Sequence, residues 1–444
     1  MNIAISIDKT RYQDDGFAKV KLRVPDLNEE RQLDINFREF YRYCGLPKTK
    51  ALDFLFIACV CYLIDKLIPR SETDDLWTRE LEVSIPVSDP ATWEPIKNLL
   101  NDTLSFLTGD LWSVAFEAAN QPLFRLPLRQ HRTQLFSEFV RTGLVCLSSG
   151  GLDSLAGTID LLETYPDQRV LLVGHYDAPT GEQETVFSGI RPAYPDRVKL
   201  MRMRVRLDPP ASPETTLRSR SLLFLALGLC AAQSFGPDVP LFACENGLIA
   251  LNVPITPSRA GSCSTRTMHP LFLSNLRQII QQAGITNPLE NPFEFQTKGE
   301  CLAGCKNQSL LQSQANTSVS CAHAHRRQNW IRKHANNCGY CVPCLIRRAA
   351  LYHIGADDGL KYGIDVVAGE LDLASDIDAV NDILAILDLL RSKKTAKEFA
   401  KEILEVALLD RITDRAAMVE RGVEDLRSLI RGKGMSRIKQ AAGI

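Results

Sequence analysis

The sequence predicts an α/β protein built around a parallel β-sheet, and three observations carry that prediction. From residue 144 to residue 243, buried-strand patterns alternate with helical ones, the order that lays helices over parallel strands. The first of these strands runs into Ser149-Gly150-Gly151-Leu152-Asp153-Ser154, and a helical pattern begins inside that loop. Further on, Cys321, Cys338, Cys341 and Cys344 form C-x₁₆-C-x₂-C-x₂-C, a spacing that brings four thiolates to one metal ion.

Residues 1 to about 140 hold strand-like pieces at Met1–Asp8, Lys19–Val24, Leu81–Val87 and Leu111–Phe116, with helical patterns at Leu52–Leu67 and Trp93–Leu107. This mixture is expected to be a separate α+β domain of unassigned role. Cys59 and Cys61 fall inside the apolar helix and are read as core residues. The polar run Arg129–Gln134 is the expected junction to a second unit at 141–354.

That unit opens on Leu144–Leu147, a continuous apolar run bounded by small polar residues, as a strand covered on both faces reads. Leu155, Ile159 and Leu162 then fall on one helical face. Two adjacent glycines let the backbone turn sharply and approach a ligand without a Cβ in the way. The helix aims its free N–H groups and positive dipole end at the same point, so the loop is an anion cradle. Asp153 is placed to orient Mg²⁺ or the loop itself. No Gly-x-x-x-x-Gly-Lys-Ser/Thr pattern occurs in the chain, so this is not a Walker loop. Strands are expected again at Arg169–His175 and Val239–Ala243, with helices at Ser221–Ala232, about Leu271–Ala283 and just after Thr297. These two strands end in polar loops, Tyr176–Glu184 and Cys244-Glu-Asn-Gly247, where an open α/β sheet holds its ligands.

Four cysteines satisfy the tetrahedral preference of structural Zn²⁺, and the same ligand set also holds iron–sulfur clusters. His323, His325 and His334 are expected at the surface or behind the ligands. Cys301 and Cys305, one helical turn apart, read as packing residues. Arg326, Arg327, Arg332, Lys333, Arg347 and Arg348 surround the cysteines with no acidic residue from 321 to 348. RNA is one reading of that stretch; balancing four thiolates and facing phosphates is the favoured one. From 355 to 444 the chain reads as a helical region, acidic to residue 390 and basic after it.

Across 444 residues the formal net charge is −1 with 24% charged residues, which excludes a dedicated polyanion binder. The longest apolar run, Phe54–Ile64, has 11 residues, too few to span a bilayer. The first residues alternate like a strand and lack a signal-peptide pattern, so a cytoplasmic protein without membrane contact is expected. An odd count of 13 cysteines then points to thiols and a metal rather than disulfides.

The glycine loop resembles the pyrophosphate loop (PP-loop) of the adenine nucleotide α-hydrolase superfamily. Together with Arg220 before an apolar helix, Thr297-Lys298-x-Glu300, Ser320-Cys321 and Cys338-Gly-x-Cys-x-x-Cys344-x-x-Arg347, it makes residues 141–354 similar to the QueC-like family, the 7-cyano-7-deazaguanine synthases. The likeness is nearest to the QueC-like proteins of Qat antiphage defence systems. The resemblance implies ATP at Leu147, Ser148, Ser149, Gly150, Gly151, Leu152, Asp153 and Ser154, with Mg²⁺ and a structural Zn²⁺. Asp153, Arg220 and Lys298 are the implied catalytic and phosphate-facing residues, and Glu245 and Arg266 the implied substrate contacts. The implied reaction adenylates a carboxylate, a 7-carboxy-7-deazaguanine-type molecule, and passes it to an amine. In the defence branch that amine is implied to be the N-terminus of a partner protein. The base-side loops are rewritten here as His175–Gln183, Cys244–Gly247 and Arg266–Pro270. Queuosine-type biosynthesis, tRNA thiolation within the same superfamily, and a non-catalytic ATP-binding adaptor are the competing functions.

Overall fold

The computed structural model describes residues 1–125, 142–177, 181–210, 213–254, 266–374 and 378–444. The expected junction at Arg129–Gln134 lies outside them, as do parts of the Tyr176–Glu184 loop and the segment just before Arg266.

The protein is a mixed α/β structure with a large, mostly parallel sheet. Its strands are β1 (Asn2–Tyr12), β2 (Ala18–Val24), β3 (Glu29–Asn36), β4 (Glu80–Val87), β5 (Leu111–Ala118), β6 (Thr142–Leu147), β7 (Arg169–Tyr176), β8 (Val198–Asp208), β9 (Leu241–Phe242) and β10 (Leu289–Glu290). They form one ten-stranded sheet in the order β10-β9-β6-β7-β8-β3-β2-β1-β4-β5. The pairs β10–β9, β9–β6, β6–β7, β7–β8, β1–β4 and β4–β5 are parallel, whereas β8–β3, β3–β2 and β2–β1 are antiparallel.

The strands of residues 1–118 therefore belong to the same sheet as those that follow. Five of their residues, Gln32 to Asn36, pair with Asp208 back to Arg204, which joins the two halves edge to edge. Arg204 and Arg206 both reach Asp34, at 3.0 and 2.9 Å, across that seam. One hydrophobic core runs beneath it. The helix Thr49–Leu67 lies along the helix Arg220–Phe235, and both bury their apolar sides against the same sheet face. A buried ion network ties the same parts together: Arg79 pairs with Asp65 at 2.7 Å and Asp110 at 2.6 Å, and Arg70 pairs with Asp110 at 2.8 Å.

Coverage of the sheet explains the two strand patterns in the sequence. Around β6 and β7, helices cover both faces, one layer containing Arg220–Phe235 and the other Leu152–Thr164, so six consecutive residues of β7 are buried. The N-terminal strands have a core on one face only, and β2 alternates buried with exposed residues.

The C-terminal region is helical, with helices Asp378–Ser392, Ala396–Val406, Ile412–Lys433 and Ser436–Ala441. They share a third core with the cysteine knuckle and its helix Val342–His353. Part of the acidic stretch pairs with the arginines around the cysteines. Arg348 bonds Asp357 at 3.1 Å and Asp365 at 2.5 Å, and Arg332 bonds Glu370 at 2.7 Å. Among the described residues, no helix is long and apolar enough to cross a membrane.

Candidate functional site

After β6 the chain crosses to one side of that strand to make β7 and β8, then to the other to make β9 and β10. The loops leaving the carboxyl ends of β6 and β9 therefore part around a crevice, the place where open α/β sheets hold ligands. Ser149–Gly151 is the loop after β6, and the helix Leu152–Thr164 begins directly behind it. Gly150 has φ +81°, and a Cβ there would stand 2.9 Å from Glu182 Cβ. The turn requires glycine. At Gly151 the nearest neighbour of an added Cβ is Ser149 Oγ at 3.2 Å, so that glycine leaves open the space in front of the helix.

Hydroxyls line this cradle. Gly151 N–H donates to Ser149 Oγ at 3.2 Å, Ser154 Oγ donates to the Gly151 carbonyl at 3.0 Å, and Leu152 N–H donates to Ser320 Oγ at 3.3 Å. Ser320 arrives from the segment that carries Cys321. Buried Arg347, three residues past Cys344, holds Ser318 Oγ at 2.8 Å and Ser320 Oγ at 3.4 Å.

Beneath the loop, Asp153 is the centre of a buried cluster. Lys298 Nζ donates to its Oδ1 at 2.5 Å, and Asn246 Nδ2 donates to its Oδ2 at 2.7 Å. Burial by itself would raise the Asp153 pKa, but the Lys298 charge and the hydrogen bonds outweigh it and hold the carboxyl below its usual range. Glu245 hydrogen-bonds Asp153 and goes the other way: burial, then the neighbouring Asp153 charge, push it well above the usual carboxylate range and favour its protonated form. Asp153, Lys298 and Glu245 are thus brought into one contact set. Asn246 joins them, and its only signal in the sequence is its place in a polar loop after a short strand. Each Asp153 oxygen accepts from a side chain, Oδ1 from Lys298 and Oδ2 from Asn246.

No family model matches the chain, and no curated protein matches it in sequence. The chemistry of the site therefore rests on its own geometry.

Arg220 approaches from the opposite face. The helix Arg220–Phe235 returns antiparallel to the strands before β9, which puts its first residue at the carboxyl edge of the sheet. Asp65 fixes that end by accepting from Ser219 N–H at 2.9 Å and Ser219 Oγ at 2.7 Å. The exposed Arg220 side chain lies over the Phe224 ring at 5.4 Å, beside buried His175, whose pKa burial and then the Arg220 charge lower to about 3. Arg266, the other expected substrate contact, packs against the N-terminal half. It donates to the Phe106 carbonyl at 2.7 Å and stacks over that ring at 4.4 Å, pinning its own segment to the N-terminal half.

The second centre is the cysteine cluster. The sulfurs of Cys321, Cys338, Cys341 and Cys344 lie within 4.8 Å of one another, with Cys338 and Cys344 at 3.7 Å. Zn–S bonds of about 2.3 Å set tetrahedral sulfurs about 3.8 Å apart, so the donor set fits. Backbone N–H groups stabilise the thiolates: His323 and Cys338 donate to Cys321 Sγ, and Cys341 donates to Cys338 Sγ, each at 3.3 Å. Four such ligands would leave a bound ion no open coordination position. His325 and His334 stand outside this cluster, as do buried Cys301 and Cys305. The knuckle flanks the cradle on both sides of the chain, since Cys321 follows Ser320 and Cys344 leads into Arg347.

Proposed function

We propose that the chain is an ATP-dependent, QueC-like ligase that adenylates a carboxylate and transfers the acyl group to an amine. The observation that carries this reading is the hydroxyl-lined Ser149–Ser154 loop at a helix N-terminus, set over the Asp153–Lys298 pair at the carboxyl edge of a parallel sheet. Such a loop binds the β- and γ-phosphates of ATP while a carboxylate oxygen attacks the α-phosphorus. The bond to the bridging oxygen breaks, pyrophosphate leaves and an acyl-adenylate remains. An amine then attacks the acyl carbon, AMP departs with the electron pair of the acyl C–O bond, and an amide forms. Lys298 and Arg220, on opposite faces of the sheet, supply positive charge to the phosphates. Glu245, in contact with the same cluster, is the proposed contact for the substrate. The four-cysteine site would hold Zn²⁺ and keep Ser320 and Arg347 in register with the loop.

By resemblance the carboxylate is 7-carboxy-7-deazaguanine and the acceptor is a partner protein's N-terminus, in a cytoplasmic defence system. Incubation with ATP, Mg²⁺, this acid and the co-encoded proteins, followed by intact-mass measurement, is expected to reveal a deazaguanine amide on one partner. Unmodified partners beside accumulating free 7-cyano-7-deazaguanine would return the protein to nucleoside biosynthesis.

The two glycines separate fold from chemistry. Gly151→Ala is expected to change stability by less than about 1 kcal/mol, because no neighbour stands closer than 3.2 Å to the new Cβ, yet to abolish pyrophosphate release by filling the phosphate's approach. Gly150→Ala is expected to cost about 1–3 kcal/mol through its left-handed backbone. Thermal melting beside a pyrophosphate assay checks both; wild-type turnover in Gly151→Ala would remove the ATP assignment.

A further inference from the structure

Lys298 is the first residue of a short helix, Lys298–Ala303, whose cap is Thr297. The Thr297 hydroxyl has two tasks. It accepts Glu300 N–H at 3.1 Å, closing the capping box, and it donates to Asp425 Oδ2 at 2.8 Å. Asp425 belongs to the C-terminal helix Ile412–Lys433, and its other oxygen meets His353 Nδ1 at 2.8 Å at the end of the knuckle helix. One turn earlier on the same helix, Arg421 grips Glu300, with Nε at 2.5 Å and Nη2 at 3.2 Å. The packing leaves no slack: a Cβ on Gly299 would lie 2.7 Å from Asp425 Oδ2 and 3.0 Å from the His353 ring. Two elements distant in sequence, the C-terminal helix and the knuckle helix, thus converge on the peptide that carries the lysine paired with Asp153.

We propose that Asp425 is a positioning residue for Lys298, so that the helix Ile412–Lys433 belongs to the nucleotide site rather than to an independent C-terminal module; the catalytic part of this inference rests on the adenylation reading above. Asp425 touches no reacting atom. Its carboxylate fixes the Thr297 hydroxyl, that hydroxyl fixes the helix start, and the helix start holds the ammonium within reach of Asp153. Without the carboxylate, the cap hydroxyl is free to rotate and the first turn to fray, so the ammonium samples a wider volume.

The test reads Lys298 directly. The full-length protein is treated briefly with acetic anhydride, and the acetylation rate of Lys298 is measured by peptide mass spectrometry against exposed Lys333. In the wild type Lys298 is buried and paired and is expected to react slowly. Asp425→Ala is expected to raise its rate about fivefold, the factor one hydrogen bond of ordinary net strength holds back, with Lys333 unchanged. Asp425→Asn keeps an acceptor for the Thr297 hydroxyl and is expected to restore most of the protection. Thr297→Val, which removes the donor, is expected to match Asp425→Ala and decides the matter if that variant does not fold. An unchanged Lys298 rate, or a rate rising in step with Lys333, overturns the proposal. Lys298 deprotection in a protein whose wild type releases no pyrophosphate would keep the positioning role and discard the adenylation reading.

Discussion

Replacing Asp153 with alanine is expected to abolish pyrophosphate release and also to lower the free energy of unfolding by about 3–5 kcal/mol, the cost of stranding one member of a buried ion pair. From sequence, Asp153 belongs to an exposed ligand loop and its loss should spare the fold. In the structure it is 5% exposed and faces Lys298, itself 5% exposed. Asp153→Ala would leave that ammonium without its counter-charge. The double variant Asp153→Ala/Lys298→Met is accordingly expected to regain most of the lost stability and none of the activity, as followed by urea unfolding and a pyrophosphate assay. Acidity provides a second check. The folded-state pKa of Asp153 is depressed, so its contribution to stability is complete above the ordinary carboxylate range and is lost as pH falls through the folded value. The alanine variant should lack that part of the acid-side slope.

Cys341→Ser should be more severe still. Cys341 is fully buried at the start of the knuckle helix, and metal binding in four-thiolate sites contributes on the order of 10 kcal/mol of apparent folding free energy. That figure is comparable with the whole net stability of a domain. The cysteines share their core with the C-terminal helices, and Arg347 links them to the cradle through Ser320. Zinc content, soluble yield, melting temperature and turnover should therefore fall together. A metal-free, soluble and fully active Cys341→Ser protein would remove the zinc assignment, and a brown protein containing iron would replace it.

The parts of the site that were legible in the sequence are those whose partners are sequence neighbours. The strand, loop and helix from Leu144 to Leu162 announce themselves because burial, turn and periodicity all act within a short stretch of chain, and Cys338, Cys341 and Cys344 are just as local. The Asp153 cluster is different. Lys298 and Asn246 lie 145 and 93 residues from Asp153, and no spacing rule connects them. The unity of the sheet was missed for a related reason. β8 alternates Met201, Met203, Val205 and Leu207 with Arg202, Arg204 and Arg206, a pattern easily passed over as a basic stretch. β3, Glu29 to Asn36, carries so much charge that it does not read as a strand until Asp34 is seen facing two arginines. Arg266 is hidden in the same way: its bond to the Phe106 carbonyl spans 160 residues, and no local pattern announces it.

The seam between β3 and β8 also sets a problem in time. Asp34 and Arg206 are 172 residues apart, so a ribosome adding about 5–20 residues per second finishes β8 roughly 10–30 s after β3 has emerged. Throughout that interval β3 is a raw edge, its outward N–H and C=O groups open to any other nascent strand. Charged side chains are the usual guard against such pairing, and β3 opens Glu29-Glu30-Arg31 and carries Asp34 further along. The charge that hides this strand from a sequence reader is of the kind that discourages such pairing until β8 arrives.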